Sequence, residues 1–179
     1  MPEETILRPQ DILAHGGFLA RGASVADFGC GHGYFTMPMA SAVSQKGQVF
    51  AIDVRPQALS FVASRAKRLG FLQIRTILGD LERERGSTLP DQSCDMVVVA
   101  DLLYQTRDPK QVLSEAKRIL KAGGRALVID WQAEGAVYGP PQTQRIGKDR
   151  VEEIARELGF LVHGTFSFGK YHWGLVLGA

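Results

Sequence analysis

Hydrophobic and polar positions along the chain alternate between two periods. A short apolar run, Val25-Ala26-Asp27-Phe28, breaks into a turn holding Gly29, Gly31 and Gly33. From Tyr34 the pattern becomes helical, with Phe35, Met39 and Val43 on one side. The same strand-then-helix unit recurs. Val49 to Asp53 reads as a strand, and Pro56, suited to a first helical turn, opens a helix to Leu69 that Gly70 stops, with Leu59, Val62 and Ala66 facing inward. Ile74 to Leu78 is a third strand. The run Met96-Val97-Val98-Val99 is apolar throughout, as a central parallel strand buried on both faces should be. Asp108 is placed to cap a helix with Pro109 at its first position and Gly123-Gly124 at its end, and Arg125 to Asp130 is a fifth strand. Trp131 to Gly147 has no clear period and contains Gly139-Pro140-Pro141, a length at which a loop in a compact domain is commonly functional. Lys148 to Leu158 predicts a helix stopped by Gly159, and Phe160 to Leu177 two strands joined near Gly169-Lys170. At the other end, Ile6 to Arg21 predicts a short, imperfect helix interrupted by Gly16-Gly17. Strands alternating with helices imply an α/β sheet that is mostly parallel.

The first of these turns carries the chemistry. Glycines there let backbone take positive φ and approach a ligand with no Cβ between them. Asp53 closes the next strand about 20 residues further on, the separation at which a Rossmann-type acid reaches ribose hydroxyls. A nicotinamide fingerprint would require glycine at Tyr34, which disfavours an oxidoreductase.

With Asp27 just upstream, Asp27-Phe28-Gly29-Cys30-Gly31-His32-Gly33 resembles the first motif of the class I S-adenosylmethionine-dependent methyltransferases. The likeness continues through Ile77-Leu78-Gly79-Asp80-Leu81, Asp95 to Ala100, Leu103 to Pro109 and Ile119-Leu120-Lys121-Ala122-Gly123-Gly124-Arg125, covering about residues 24 to 130. It is nearest to the small ubiquinone/menaquinone-biosynthesis-like branch. The resemblance implies a doubly wound, Rossmann-like, seven-stranded sheet with one antiparallel strand in a C-terminal hairpin, S-adenosyl-L-methionine as cofactor and S-adenosyl-L-homocysteine as product. It also implies site residues. Asp53 would hold the ribose and Val54 flank the adenine; Asp80 would accept from the adenine amine, with Leu81 beside the ring. Asp27 would orient the loop or meet the methionyl amine, Gly29, Cys30 and Gly31 would present backbone to the amino-acid part, and Asp101 and Leu102 would face the sulfur and methyl. Methyl transfer from a sulfonium needs positioning more than a nucleophilic residue. A general base, if used, has Tyr104, His172 and Asp130 as candidates. Tyr104 reads equally as a lid-packing aromatic, and an ordinary sheet histidine is the preferred reading of His172.

Departures narrow the acceptor. The Asn/Asp-Pro-Pro-aromatic run of base-amine methyltransferases is replaced by Asp101-Leu102-Leu103-Tyr104, and with only Cys30 and Cys94 the cysteine trio of arsenite methyltransferases is missing. A small-molecule acceptor is therefore expected. The alternatives are a protein or RNA acceptor and a non-catalytic module that only binds the cofactor.

Composition adds boundaries. At 179 residues the chain suits a single domain able to bury roughly 70% of its unfolded surface. Residues 1–22 would form a lead-in and 131–147 a substrate lid. A net charge of +2, with Lys and Arg scattered, gives no stripe for nucleic acid. Two cysteines make no disulfide framework, and four dispersed histidines suggest no metal. An early run of charge argues against a signal peptide and no stretch is apolar enough to cross a bilayer, so a cytoplasmic location is expected. Oligomeric state is left open.

Overall fold

Seven strands lie side by side in the order β3-β2-β1-β4-β5-β7-β6. The computed structural model describes residues 8–15, 19–135 and 138–179. The strands are β1 (Ser24–Phe28), β2 (Gln48–Asp53), β3 (Ile74–Leu78), β4 (Cys94–Ala100), β5 (Leu120–Trp131), β6 (Leu161–Phe168) and β7 (His172–Gly178). The helices are α1 (Pro9–His15), α2 (Thr36–Val43), α3 (Pro56–Leu69), α4 (Pro109–Ile119) and α5 (Lys148–Glu157). Pairings among β1 to β5 are parallel, while β7 runs antiparallel to both β5 and β6. The strand order reverses between β1 and β4, which makes their carboxyl ends the crevice where α/β sheets bind ligands.

Alternation along β1 sorts the helices. Val25 packs with Ile12 of α1 and with Met39 and Val43 of α2, whereas Ala26 and Phe28 face Val112 and Ala116 of α4 and Ile154 of α5. Val62 and Ala66 of α3 cover Ala51 near the β2 edge. With apolar layers on both faces, β4 is buried from Met96 to Val99, which explains its unbroken run of β-branched residues.

Several ends differ from expectation. The first helix is confined to Pro9–His15, and Ile6, Gly16, Gly17 and Phe18 lie outside the described residues. α2 begins at Thr36 because residues 31–35 form turns. The helix before β5 stops at Ile119, where Leu120 turns extended (φ −71°, ψ 135°), so Gly123-Gly124 does not end it. Those glycines sit inside β5 at a register shift: Leu120 pairs with Cys94, Arg125 with Met96, and the surplus residues bulge. Gly123 takes φ +77° there, and Lys121 reaches Asp95 at 2.8 Å. Asp108 caps α4, accepting from the Gln111 amide at 3.0 Å. The tail forms β6 and β7 joined across Gly169-Lys170, as the pattern predicts.

Candidate functional site

The carboxyl tips of β1 and β2 are neighbours. Phe28 pairs with Ile52, and the Cys30 amide continues the ladder by donating to the Ile52 carbonyl at 2.9 Å. Gly29 and Gly31 then turn through positive φ (69° and 50°), which aims the Gly31 amide at Asp53 Oδ2, 3.0 Å away. Arg55 supplies the remaining donors to Asp53. Its amide and Nε reach Oδ1 at 2.9 and 3.0 Å, and its terminal nitrogen reaches Oδ2 at 3.1 Å. Burial would raise the Asp53 carboxyl, but the bonds from Arg55 and Gly31 outweigh it and hold the group below its ordinary value. A carboxylate that stays ionised at the end of a strand suits a ligand with paired hydroxyls.

Asp27 faces inward. It accepts from the Thr36 hydroxyl at 2.5 Å, tying β1 to the first turn of α2, and burial pushes its carboxyl up to about 7. Cys30 is buried against Met37, Leu59 and Val62, and burial pushes its thiol up, so it contributes backbone and packing rather than a reactive sulfur.

Beyond Asp53 opens a cleft of about 170 Å³ lined by Gly29, Asp53, Val54, Asp80, Leu81 and Leu102, together with Arg55, Gly79, Glu82, Gln105 and Thr106. A Cβ on Gly29 would come within 2.8 Å of Leu102, so the glycine is what lets that side chain close one wall. Asp80 accepts from the Glu82 amide at 3.1 Å and pairs with Arg83 at 2.9 Å. The charged stretch after it is tied into the fold: Glu82 accepts from the amides of Arg107 (2.6 Å) and Asp108 (2.8 Å), stapling the wall from β3 to the loop before α4. A larger cavity of about 580 Å³ lies at the opposite end of the sheet, between Gly22, Asp95, Lys121 and Arg125. It touches none of the candidate site residues, whereas the smaller cleft is lined by Gly29, Asp53, Val54, Asp80, Leu81 and Leu102 among them.

Acid–base groups gather on the other side of Leu102. Asp101 takes φ +50°, and its amide donates to the Ile129 carbonyl at 3.0 Å. Asp130 is fully buried, accepting from the amides of Trp131 (2.8 Å) and Tyr104 (3.1 Å); burial, with Asp101 adding to it, pushes its carboxyl up to about 7. Burial first, then Asp101 and Asp130, raise the Tyr104 hydroxyl above its ordinary value. His172 begins β7 opposite Trp131, its ring 4.1 Å from the indole, with Nε2 3.3 Å from Asp101 Oδ1. The segment after β5 is drawn in by two devices. Arg145 donates to the carbonyls of Gln132 (3.2 Å), Tyr138 (3.0 Å) and Pro140 (2.9 Å), and the Trp173 indole is shared between the carbonyls of Trp131 (2.9 Å) and Ile146 (3.2 Å). Residues 136–137 of the expected lid lie outside the described residues, as do 1–7 and 16–18 of the expected lead-in.

A family model described as a methyltransferase domain matches residues 19–159. The chain belongs to that family. This methyltransferase domain is 31% identical over 135 residues to a 2-phytyl-1,4-naphtoquinone methyltransferase of Synechococcus elongatus, an alignment covering 72% of the chain and 54% of that protein. It is 28% identical over 156 residues to an arsenite methyltransferase of Aquipseudomonas alcaligenes, covering 79% of the chain and 45% of that protein. Among solved structures, a SAM dependent methyltransferase from Aquifex aeolicus superposes with TM-score 0.86 at 27% identity, covering 94% of this chain and 88% of that one. The domain spans about half the length of these two curated relatives.

The cofactor of this methyltransferase domain is S-adenosyl-L-methionine, and the cleft fits it. The glycine cradle would be closed by a Cβ at Gly29, an ionised carboxylate stands at the tip of β2, and Val54, Leu81 and Leu102 offer apolar contact for a purine. Among the described residues no cluster of His, Cys, Asp or Glu is arranged to hold a metal ion, and no helix is long and apolar enough to cross a membrane. Sequence reasoning missed Arg55 and Glu82. An arginine two residues after a strand-end acid is a usable signal for the first; the second depends on a contact 25 residues away and has no local signature.

Proposed function

We propose that this domain transfers the methyl group of S-adenosyl-L-methionine to a small-molecule acceptor, as a cytoplasmic enzyme folded as one unit. The observation that carries the reading is the 3.0 Å bond from the Gly31 amide to Asp53, which joins the backbone cradle and the strand-end acid into one binding surface. Asp53 seats the ribose hydroxyls once Arg55 yields, and a hydrogen bond to a charged group is worth about 1.5–3 kcal/mol. Val54 and Leu81 flank the adenine and Asp80 accepts from its amine. Gly29, Cys30 and Gly31 present backbone to the amino-acid part, Asp27 holds the loop in place through Thr36, and Asp101 and Leu102 border the reacting end. The cofactor supplies an electrophilic methyl on a sulfonium; the protein supplies orientation and excludes water. Trp131 to Gly147 acts as the lid.

Among the three candidate bases, Asp130 is spent on two amides and serves to position the Leu103–Gln105 turn, and the raised Tyr104 hydroxyl is a poor proton acceptor. His172 is left. Arsenite, the acceptor named for one relative, is disfavoured for this chain because Cys30 and Cys94 are both buried and burial raises both thiols. A quinol-like acceptor is compatible with everything described.

Calorimetry with S-adenosyl-L-homocysteine tests the binding half, with micromolar affinity expected. Incubating the purified domain with methyl-labelled cofactor and size-fractionated lysate tests the rest. Label in the low-mass fraction is expected; label in protein or RNA moves the acceptor class, and binding without transfer leaves a non-catalytic module.

A further inference from the structure

His172 Nε2 and Asp101 Oδ1 are both buried, stand 3.3 Å apart, and have no hydrogen-bond partner among the described residues. No hydrogen bond joins them; in the tautomer that carries its proton on Nδ1, Nε2 presents a lone pair beside a carboxylate oxygen, so two acceptor atoms lie side by side with neither satisfied. An unsatisfied buried polar group is costly and rare enough to need a reason. The His172 side chain is only 3% exposed, while that of Asp101 is 36% exposed. Asp101 also holds the left-handed backbone conformation, φ +50°, which a residue other than glycine adopts at a cost and which concentrates at functional sites.

Among the described residues, the polar groups around the pair are engaged elsewhere. From β5, the Trp131 ring lies against the imidazole and Asp130 is fully engaged by the amides of Trp131 and Tyr104. From β6, Phe168 pairs with His172 in the sheet. Arg145 stands 6.0 Å from the Trp131 ring centre, its donors directed to loop carbonyls. Tyr34 and Tyr104, the other titratable groups at this mouth, both feel the Asp101 charge. Leu102, the residue after Asp101, lines the cofactor cleft. The unpaired atoms therefore adjoin the end of the cleft assigned to the reacting methyl.

We propose that His172 and Asp101 form a proton-accepting dyad that receives the hydroxyl proton of the methyl acceptor, so the acceptor is a phenol- or enol-type hydroxyl compound. This rests on the cofactor assignment above and specifies the acceptor chemistry of the same site. The step balances simply. The acceptor O–H bond breaks, its electron pair stays on oxygen, and the proton forms a new N–H bond at His172 Nε2. The imidazolium so formed faces Asp101 Oδ1, and the misfit of the free pair becomes an ion pair. Because Asp101 is partly exposed, the proton leaves to water through its carboxylate after turnover. An imidazole is the side chain suited to this at physiological pH. A neutral amine already carries a free electron pair and would not require the dyad, which is why a hydroxyl is named. Tyr34, 47% exposed, and Tyr104 furnish flat surfaces for a planar ring.

The probe is 4-nitrophenol, whose ionisation is visible in its absorbance, added to the domain saturated with S-adenosyl-L-homocysteine. The expected result is that bound probe ionises at lower pH than free probe, its equilibrium shifted at least tenfold toward phenolate. His172→Gln abolishes the shift while binding S-adenosyl-L-homocysteine within twofold of the wild type. Asp101→Asn, which keeps a residue tolerant of positive φ, reduces the shift to less than threefold and secures the test if the buried His172 variant folds poorly. A probe that ionises alike in wild type and His172→Gln, or that fails to bind the loaded domain, overturns the dyad and leaves the cofactor site standing. Failure to bind S-adenosyl-L-homocysteine removes both.

Discussion

In the proposed binding mode, Asp53 and Arg55 together set the hold on the cofactor. The acid is almost wholly covered, ionised, and already surrounded by four nitrogen donors, two of them on the Arg55 side chain. Asp53→Ala is expected to weaken S-adenosyl-L-homocysteine binding at least tenfold in calorimetry while leaving the far-UV spectrum of the fold unchanged. Arg55→Ala acts in the opposite direction: ribose hydroxyls then meet a carboxylate with no guanidinium to displace, and affinity rises severalfold. Tighter binding of the wild type than of Arg55→Ala would show that the arginine contacts the ligand instead of standing in its place. Asp53 was legible in the sequence because a strand, an acid and a glycine turn fall at a fixed separation. The Asp101–His172 pair was not: it exists only because β4 and β7 both flank β5, an adjacency of residues 71 apart along the chain that no local pattern encodes.

At the level of elements, the β1–α2 turn and the two walls of the cleft are each fixed by one residue. Gly29→Ala would place a methyl 2.8 Å from Leu102 at φ +69°, and a non-glycine residue held there costs about 1–3 kcal/mol. Urea unfolding should register that loss, and cofactor binding should fall with it as Leu102 is pushed from the wall. Glu82→Gln keeps one acceptor oxygen but gives up the charge behind two amide bonds. Faster hydrogen exchange at Arg107 and Asp108, with protection of β4 unchanged, is the expected signature. Strand and helix order followed from periodicity, since each element carries its own apolar stripe. Boundaries followed less well. Gly123-Gly124 looks like a helix stop but is a bulge in β5, and the difference is decided by the pairing of Leu120 with Cys94 on another strand.

For the molecule as a whole, the buried acids give stability a pH dependence. The Asp27 carboxyl sits at about 7 when folded against 3.8 as its ordinary value. Between those values the folded chain retains a proton that the unfolded chain has released, so stability declines as pH rises through that window and the decline is complete above it. Asn at this position has nothing to titrate and can still accept from Thr36. Asp27→Asn should therefore melt higher than the wild type at pH 8, with the advantage shrinking toward pH 4; a difference that is constant with pH would mean that Asp27 does not carry the buried proton. Asp130 titrates in the same range and is untouched by the substitution, so wild type and variant keep its share of the slope in common.

The indole nitrogen of Trp173 bears on how long the excursion after β5 can be. Because one donor grips Trp131 at the departure of the excursion from the sheet and Ile146 at its return, the two ends are pinned beside each other whatever lies between them. Lengthening such a loop is cheap, about 0.6 kcal/mol for each doubling. New segments can be spliced between those anchors without disturbing the strands that carry them.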